Sequence, residues 1–222
     1  MSGTGIGRDV PTSPGGVRVE RLVTSGVFEL DGGSWEVDNN VWLVGDDQQV
    51  LVVDAAHDAP AILEAIGGRE VVALVCTHGH NDHVNAVADV VAATGATAYL
   101  HPDDRVLWDM SQDDEPGAEL TDGQTFTVGD VGLITLHTPG HAPGACCLHA
   151  PSLGVVFSGD TLFNGGPGAT GRSYSDFPTI VESIRTRLLS LPPETVVLTG
   201  HGDPTVVGDE APHLQEWIDR GS

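Results

Sequence analysis

The chain has 222 residues, 40% of them apolar, with 29 Gly and 14 Pro, which suits a globular, loop-rich domain able to bury a full core. Its formal charge is −23, from 32 acidic residues against nine arginines and no lysine. A field of that sign repels phosphate backbones and anionic lipid, which argues against nucleic-acid and membrane partners, and no apolar stretch is long enough to span a bilayer.

Residues 1–16 are rich in Gly, Ser, Thr and Pro and lack a hydrophobic signal segment. They predict a flexible N-terminal tail, a single domain over 17–222 and a cytoplasmic location. Strands are predicted at 40–45 and 50–53, forming a hairpin across Asp46-Asp47, followed by a helix over 59–66. The unbroken β-branched run at 71–76 reads as a strand buried on both faces. The Ala/Val-rich stretch 84–94 is predicted as a helix capped by Gly95. A short strand at 97–100 precedes an acidic helix-and-loop stretch over 102–123. Further strands are predicted at 124–128, 132–137, 145–149 and 155–158. A helix over 177–191, a strand at 196–198 and a helix over 211–220 complete the order. Alternation at both ends around a hairpin-rich middle predicts two mixed sheets packed together with helices outside. Cys76 and the adjacent pair Cys146 and Cys147 read as buried apolar thiols, since neighbouring cysteines do not form a relaxed disulfide.

Between the strand at 71–76 and the helix at 84–94 lies His78-Gly79-His80-Asn81-Asp82-His83. Neutral imidazole and carboxylate oxygen are the donors of mixed nitrogen/oxygen metal sites, and open α/β sheets place their sites where strands end. Three later segments repeat a design in which an apolar strand runs into a Gly-flanked ligand type. They lead to His141 in Thr138-Pro139-Gly140-His141, to Asp160 in Ser158-Gly159-Asp160-Thr161, and to His201 in Thr199-Gly200-His201-Gly202. His101, His137, His149 and His213 lack that context and read as structural or exposed.

The hexapeptide followed by His141, Asp160 and His201 in this order resembles the metallo-β-lactamase superfamily from about Val41 to Pro204. The resemblance implies an α+β fold, an αβ/βα four-layer sandwich of two mixed sheets flanked by helices, with the metals at one sheet edge. It implies that His78, His80 and His141 hold one ion, that Asp82, His83 and His201 hold a second, and that Asp160 bridges them. Asp54, in Leu51-Val52-Val53-Asp54, matches the family's early Asp and is expected to orient a ligand, because metal-bound histidines donate their other N–H. Two such sets can hold divalent ions about 3.5–4 Å apart and lower the pKa of a shared water to roughly 7. Asp82 and Asp160 then serve the chemistry directly. Zinc is the expected metal, with iron or manganese compatible with the same donors.

The segment Gly159-Asp160-Thr161-Leu162-Phe163-Asn164-Gly165-Gly166, continuing to Arg172-Ser173-Tyr174, looks like the glyoxalase II group of hydroxyacyl-thiol hydrolases. The resemblance implies a small-molecule thioester substrate, with Asn164, Arg172 and Tyr174 among its contacts. Arg172 is suited to a substrate carboxylate and Tyr174 to a hydrogen bond, and His57 is a further candidate lining residue. A thiol leaves as thiolate without a dedicated acid, its pKa being about 8.5, which favours thioesters over amides. Glyoxalase II enzymes carry a C-terminal helical domain with further basic glutathione contacts that has no counterpart here, which leaves the thiol carrier, and esters or lactones, open. Persulfide dioxygenases, which hold one iron on a similar scaffold, are the competing class.

Overall fold

The structure, a computed structural model, describes residues 10–221. A long hairpin comes first, β1 (Arg18–Leu30) against β2 (Gly33–Gly45), in register from Arg18↔Gly45 to Leu30↔Gly33. Sequence predicts only residues 40–45 of it, because β1 and the first half of β2 bury few side chains and show no clean apolar alternation. The signal that marks the turn is Asp31-Gly32, left-handed at φ 53° and 75°, as a two-residue hairpin requires.

β2 pairs with β3 (Gln49–Val53), and the parallel strands β4 (Glu70–Val75), β5 (Ala98–Leu100) and β6 (Ala118–Glu119) extend the sheet in the order β1-β2-β3-β4-β5-β6. The second sheet is built from the meander β7 (Thr125–Val128), β8 (Val131–His137), β9 (Cys146–Ala150) and β10 (Val155–Gly159). After a small ribbon of β11 (Leu162–Phe163) and β12 (Gly166–Pro167), β13 (Val196–Thr199) joins β10 in parallel and β14 (Thr205–Val206) closes the edge.

Three apolar cores separate four layers. Between the sheets, Val44, Leu51, Val53 and Val75 meet Leu133, Leu148, Phe157 and Leu198. On the outer face of the first sheet, Leu43, Val52 and Leu74 pack on Ile62 and Ile66 of α1 (Ala59–Ile66). The same core takes in Val84 of α2 (Asn81–Val84) and Val87 and Val90 of α3 (Val87–Thr94). Trp108, from α4 (Arg105–Trp108), closes it at one end. On the second sheet, Cys147, Val156 and Val197 pack on Ile180 of α5 (Phe177–Ser183), Val207 of α6 (Val207–Glu210) and Trp217 of α7 (Leu214–Arg220). This is the αβ/βα sandwich expected from the sequence. Among the described residues no helix is long and apolar enough to cross a membrane.

Three expectations change. Residues 1–9 lie outside the described residues, but residues 10–16, expected in a loose tail, are not loose. Ser13 Oγ and Gly15 N–H both donate to the Asp130 carboxylate at 2.5 and 2.9 Å, and Val17 N–H donates back to Ser13 Oγ at 3.0 Å. The helix expected from residue 84 starts earlier and is broken: Asn81–Val84 is a turn of its own, because Ala55 N–H bonds to the His83 carbonyl and Ala86 N–H to the Ala55 carbonyl. Asp82 and His83 therefore sit on helix α2, not on a loop. The helix expected over 177–191 is capped by Asp176 and widens after Ser183 into a π turn, with Leu189 N–H on the Ile184 carbonyl at 2.9 Å.

Candidate metal centre

The ligand-type residues follow β4, β8, β10 and β13 and gather at one edge of the two sheets. Their ring nitrogens are oriented from behind. Asp54 is buried and accepts from Thr77 N–H (2.7 Å), Thr77 Oγ1–H (2.9 Å) and His83 Nδ1–H (2.9 Å). A carboxylate only accepts, so the single Thr77 hydroxyl proton goes to Asp54. Thr77 Oγ1 must then accept from His78 Nδ1–H at 3.1 Å. His141 Nδ1–H donates to the Ala169 carbonyl at 2.9 Å and His201 Nδ1–H to the Asp38 carbonyl at 2.8 Å. With Nδ1 occupied in His78, His83, His141 and His201, each presents Nε2 inward, while His80 presents Nδ1, 3.1 Å from His141 Nε2.

The inward atoms divide into sets within 4.8 Å of one another: His78, His80 and His141; Asp82, His83 and His201; and, spanning them, His78, His83 and Asp160. Asp160 faces both sides, with Oδ1 3.4 Å from His83 Nε2 and Oδ2 3.6 Å from His141 Nε2 and 3.4 Å from His201 Nε2. His83 Nε2 and His201 Nε2 approach to 3.3 Å, although both rings spend Nδ1–H elsewhere.

This donor set asks for positive charge. Two of its inward atoms, His78 Nε2 and Asp160 Oδ1, are buried without a hydrogen-bond partner, which is costly unless a ligand satisfies them. Without an ion, protons take up that role. Burial alone would lower His201, but the Asp160 and Asp82 carboxylates outweigh it and raise it to about 10. Burial also opposes ionisation of Asp82, yet His83, His201 and the Asn39 amide bring it down to about 2. In the other set burial dominates, keeping His78 and His141 below the ordinary imidazole range and His80 at about 3, in the neutral form a metal needs. The residues fit a pair of divalent cations. A further cluster, His101, Asp103 and His137, does not: its two rings stack face to face at 4.0 Å and 9°, so their in-plane lone pairs do not converge.

The sequence profile of the metallo-beta-lactamase superfamily matches residues 35–201. The chain belongs to that superfamily. It is 33% identical over 184 residues to the probable metallo-hydrolase YqgX of Bacillus subtilis, covering 76% of this chain and 87% of that protein. To the hydroxyacylglutathione hydrolase GloC of Haemophilus influenzae it is 28% identical over 188 residues, covering 77% and 89%. The crystal structure of TTHA1623 in a di-iron-bound form superposes with a TM-score of 0.71 at 34% identity, over 79% of this chain and 93% of that one.

Around this metallo-β-lactamase centre, the substrate-side expectations separate. Arg172 packs on two aromatic residues that the sequence does not flag, one of which borders the His80 ring. Its guanidinium lies over Trp35 at 3.9 Å and Phe28 at 5.1 Å, and Phe28 lies 5.1 Å from the His80 ring. The Arg172 loop is pinned to the β1–β2 turn by Ser173 N–H donating to Asp31 at 3.0 Å. Tyr174 is exposed, at φ 68°. Asn164 is exposed at the tip of the β11–β12 ribbon, which Glu210 anchors through Gly165 N–H (3.1 Å). His57 has both ring nitrogens taken up, by Asn39 and Asn85, each at 2.9 Å.

Asp104, in the acidic stretch read from sequence as helix and loop, has a structural task there. Buried, it accepts from Gly79 N–H (2.8 Å), between His78 and His80, and from Gly144 N–H (2.5 Å), just after His141. It thus clamps together the two loops of one ligand set. Burial, opposed by these two N–H groups, raises its carboxyl to about 7 from an unfolded 3.8. Between those values the folded state holds the extra proton, so this group's contribution to stability falls as pH rises from about 4 to about 7 and is level above. Asp104→Asn turns an NH₂ onto one peptide N–H and should cost roughly 1–3 kcal/mol. In melts of metal-stripped protein across this range the variant should lack that component of the pH slope. A slope identical to the parent protein's would refute the clamp's titration.

Proposed function

We propose that the chain is a dinuclear metallohydrolase that cleaves acyl-thioesters in the manner of the hydroxyacyl-thiol hydrolases, with zinc the expected metal. The observation that supports it most is the completeness of both donor sets around Asp160, each backed by groups that turn lone pairs inward. A bound pair of divalent ions supplies an activated water and polarises a carbonyl. The chain's own part is to hold Asp160 across the two sets, to shield the His80 side with Phe28, and to present Arg172, held over Trp35, to a substrate carboxylate. A cleft of about 430 Å³ beside His80, with Val27, Leu30 and Met110 on its apolar side and Glu29 and Asn81 on its polar side, gives room for the acyl group of a polar hydroxyacyl substrate. His57, with both nitrogens engaged, is not a free acid for the leaving group, and a thiolate needs none.

The test is metal analysis of protein purified without added metal, together with thiol release from small acyl-thioesters. Two ions per chain with thiol release support the proposal. One iron per chain with oxygen uptake on a thiol persulfide would sink it in favour of the dioxygenase reading. Arg172→Ala should raise KM roughly tenfold or more, the size of one charged hydrogen bond, with kcat little changed. An unchanged KM would leave Arg172 a purely structural partner of Trp35.

A further inference from the structure

We infer that His57 is a positioning residue for Asp82, acting through the Asn39 side chain, so that the 54–57 loop sets both neighbouring ligands Asp82 and His83. Asn39 is buried on β2, with Nδ2 3.0 Å from Asp82 Oδ2 and Oδ1 2.9 Å from His57 Nε2. The direction of this chain is forced. A carboxylate only accepts, so the Asn39 NH₂ faces Asp82 and its carbonyl faces His57, whose proton must then lie on Nε2. His57 Nδ1 is left as an acceptor, and Asn85 Nδ2 donates to it at 2.9 Å while the Asn85 carbonyl accepts His57 N–H at 2.6 Å. Each of these contacts then pairs a donor with an acceptor, and reversing the Asn39 amide would set two acceptors together at Asp82.

The backbone is built for this placement. Asp54 and His57 are both left-handed, at φ 61° and 60°, conformations that cost free energy and persist only when surroundings impose them. On β1, Gly26 makes room, since a Cβ there would lie 2.1 Å from His57 Nδ1. Between them, Ala55 N–H bonds to the His83 carbonyl at 3.0 Å. One end of the loop thus holds the His83 ring through Asp54, and the other holds the Asp82 carboxylate through Asn39.

This rests on Asp82 belonging to the second ligand set, but not on the substrate, so the test reads metal retention rather than turnover. Zinc affinities of the two sites are measured on the full chain by chelator competition, for the parent protein, Asn39→Ala, His57→Asn and the double variant. His57→Asn tolerates the left-handed backbone and can still meet Asn85, but is too short to reach Asn39. Each single variant should weaken one ion by about 10–100-fold and spare the other, as loss of a ligand-orienting partner does. The double variant should be no worse than Asn39→Ala, because His57 acts only through it. His57→Gln, long enough to donate to Asn39, should recover most of the loss. Affinity within twofold of the parent in His57→Asn would overturn the proposal. So would effects that multiply in the double variant, failed recovery by His57→Gln, or a parent protein that binds a single ion.

Discussion

Asp160→Ala should leave a folded protein that no longer retains two metal ions and hydrolyses its substrate at least about a thousandfold more slowly. The rate figure corresponds to roughly 4 kcal/mol of lost stabilisation, of the size expected when a metal pair no longer holds the reacting groups. The basis is geometric. Asp160 reaches both sets, with Oδ1 toward His83 and Oδ2 toward His201 of one and toward His141 of the other. Burial opposes its ionisation, but His201 and His83 hold it well below the ordinary carboxylate range. The truncation removes a charge from a cluster of imidazoles and no packing partner of the apolar cores, so the fold should survive. Metal content per chain and a thermal melt separate the two claims. Full occupancy with full activity would refute the bridging role, and an unfolded variant would refute the claim that Asp160 is dispensable to the fold.

The second large effect concerns Gly140, beside His141. It lies at φ +133°, and a Cβ would come within 2.2 Å of Ile180 N and 2.4 Å of Ile180 Cα. These are backbone atoms at the start of α5, held by Asp176 N–H on the Gly140 carbonyl (2.7 Å) and by Ser183 Oγ–H on the Pro139 carbonyl (2.7 Å), so neither side can give way cheaply. Strain and overpacking together should make Gly140→Ala cost about 4 kcal/mol, a fall in Tm on the order of 10 °C. His141 should be displaced with its loop, so the variant should also bind metal more weakly at its set. Gly132→Ala is the control, because a Cβ at that position meets nothing within 4 Å. Equal melting temperatures for the two variants would mean that the loop is not locked to the helix.

Much of this centre can be read from the sequence because its grammar is local. An apolar strand followed by a Gly-flanked His or Asp is visible without knowing what lies across the sheet, and so His78, His141, Asp160 and His201 stand out, whereas Asp54, between Val53 and Ala55, is marked only by the family resemblance. What is hidden is made by tertiary approach. Asn39 is an ordinary polar residue until β2 brings it against Asp82. Asp104 is one acid among many until its carboxylate meets Gly79 and Gly144. Phe28 and Trp35 lie on a hairpin whose outer strands are mostly exposed, so no burial pattern announces them, and Arg172 finds its partners there rather than along the chain. The one signal passed over is Asp31-Gly32, a tight-turn dipeptide that fixes the register of the whole hairpin. The α2–α3 break has no sequence mark, since it depends on backbone bonds to the 54–57 loop.

Each of the two donor sets draws from both halves of the sandwich. His78 and His80 follow a strand of the first sheet and His141 one of the second. Asp82 and His83 come with the first, Asp160 and His201 with the second. An ion held there acts as a rivet through two layers that are otherwise joined mainly by apolar contact. Its binding free energy opposes their separation, by about 2.7 kcal/mol for each ion at a hundredfold excess over Kd. Metal supply would then govern how long the protein lasts, since a chain stripped of its ions opens more often to proteolysis.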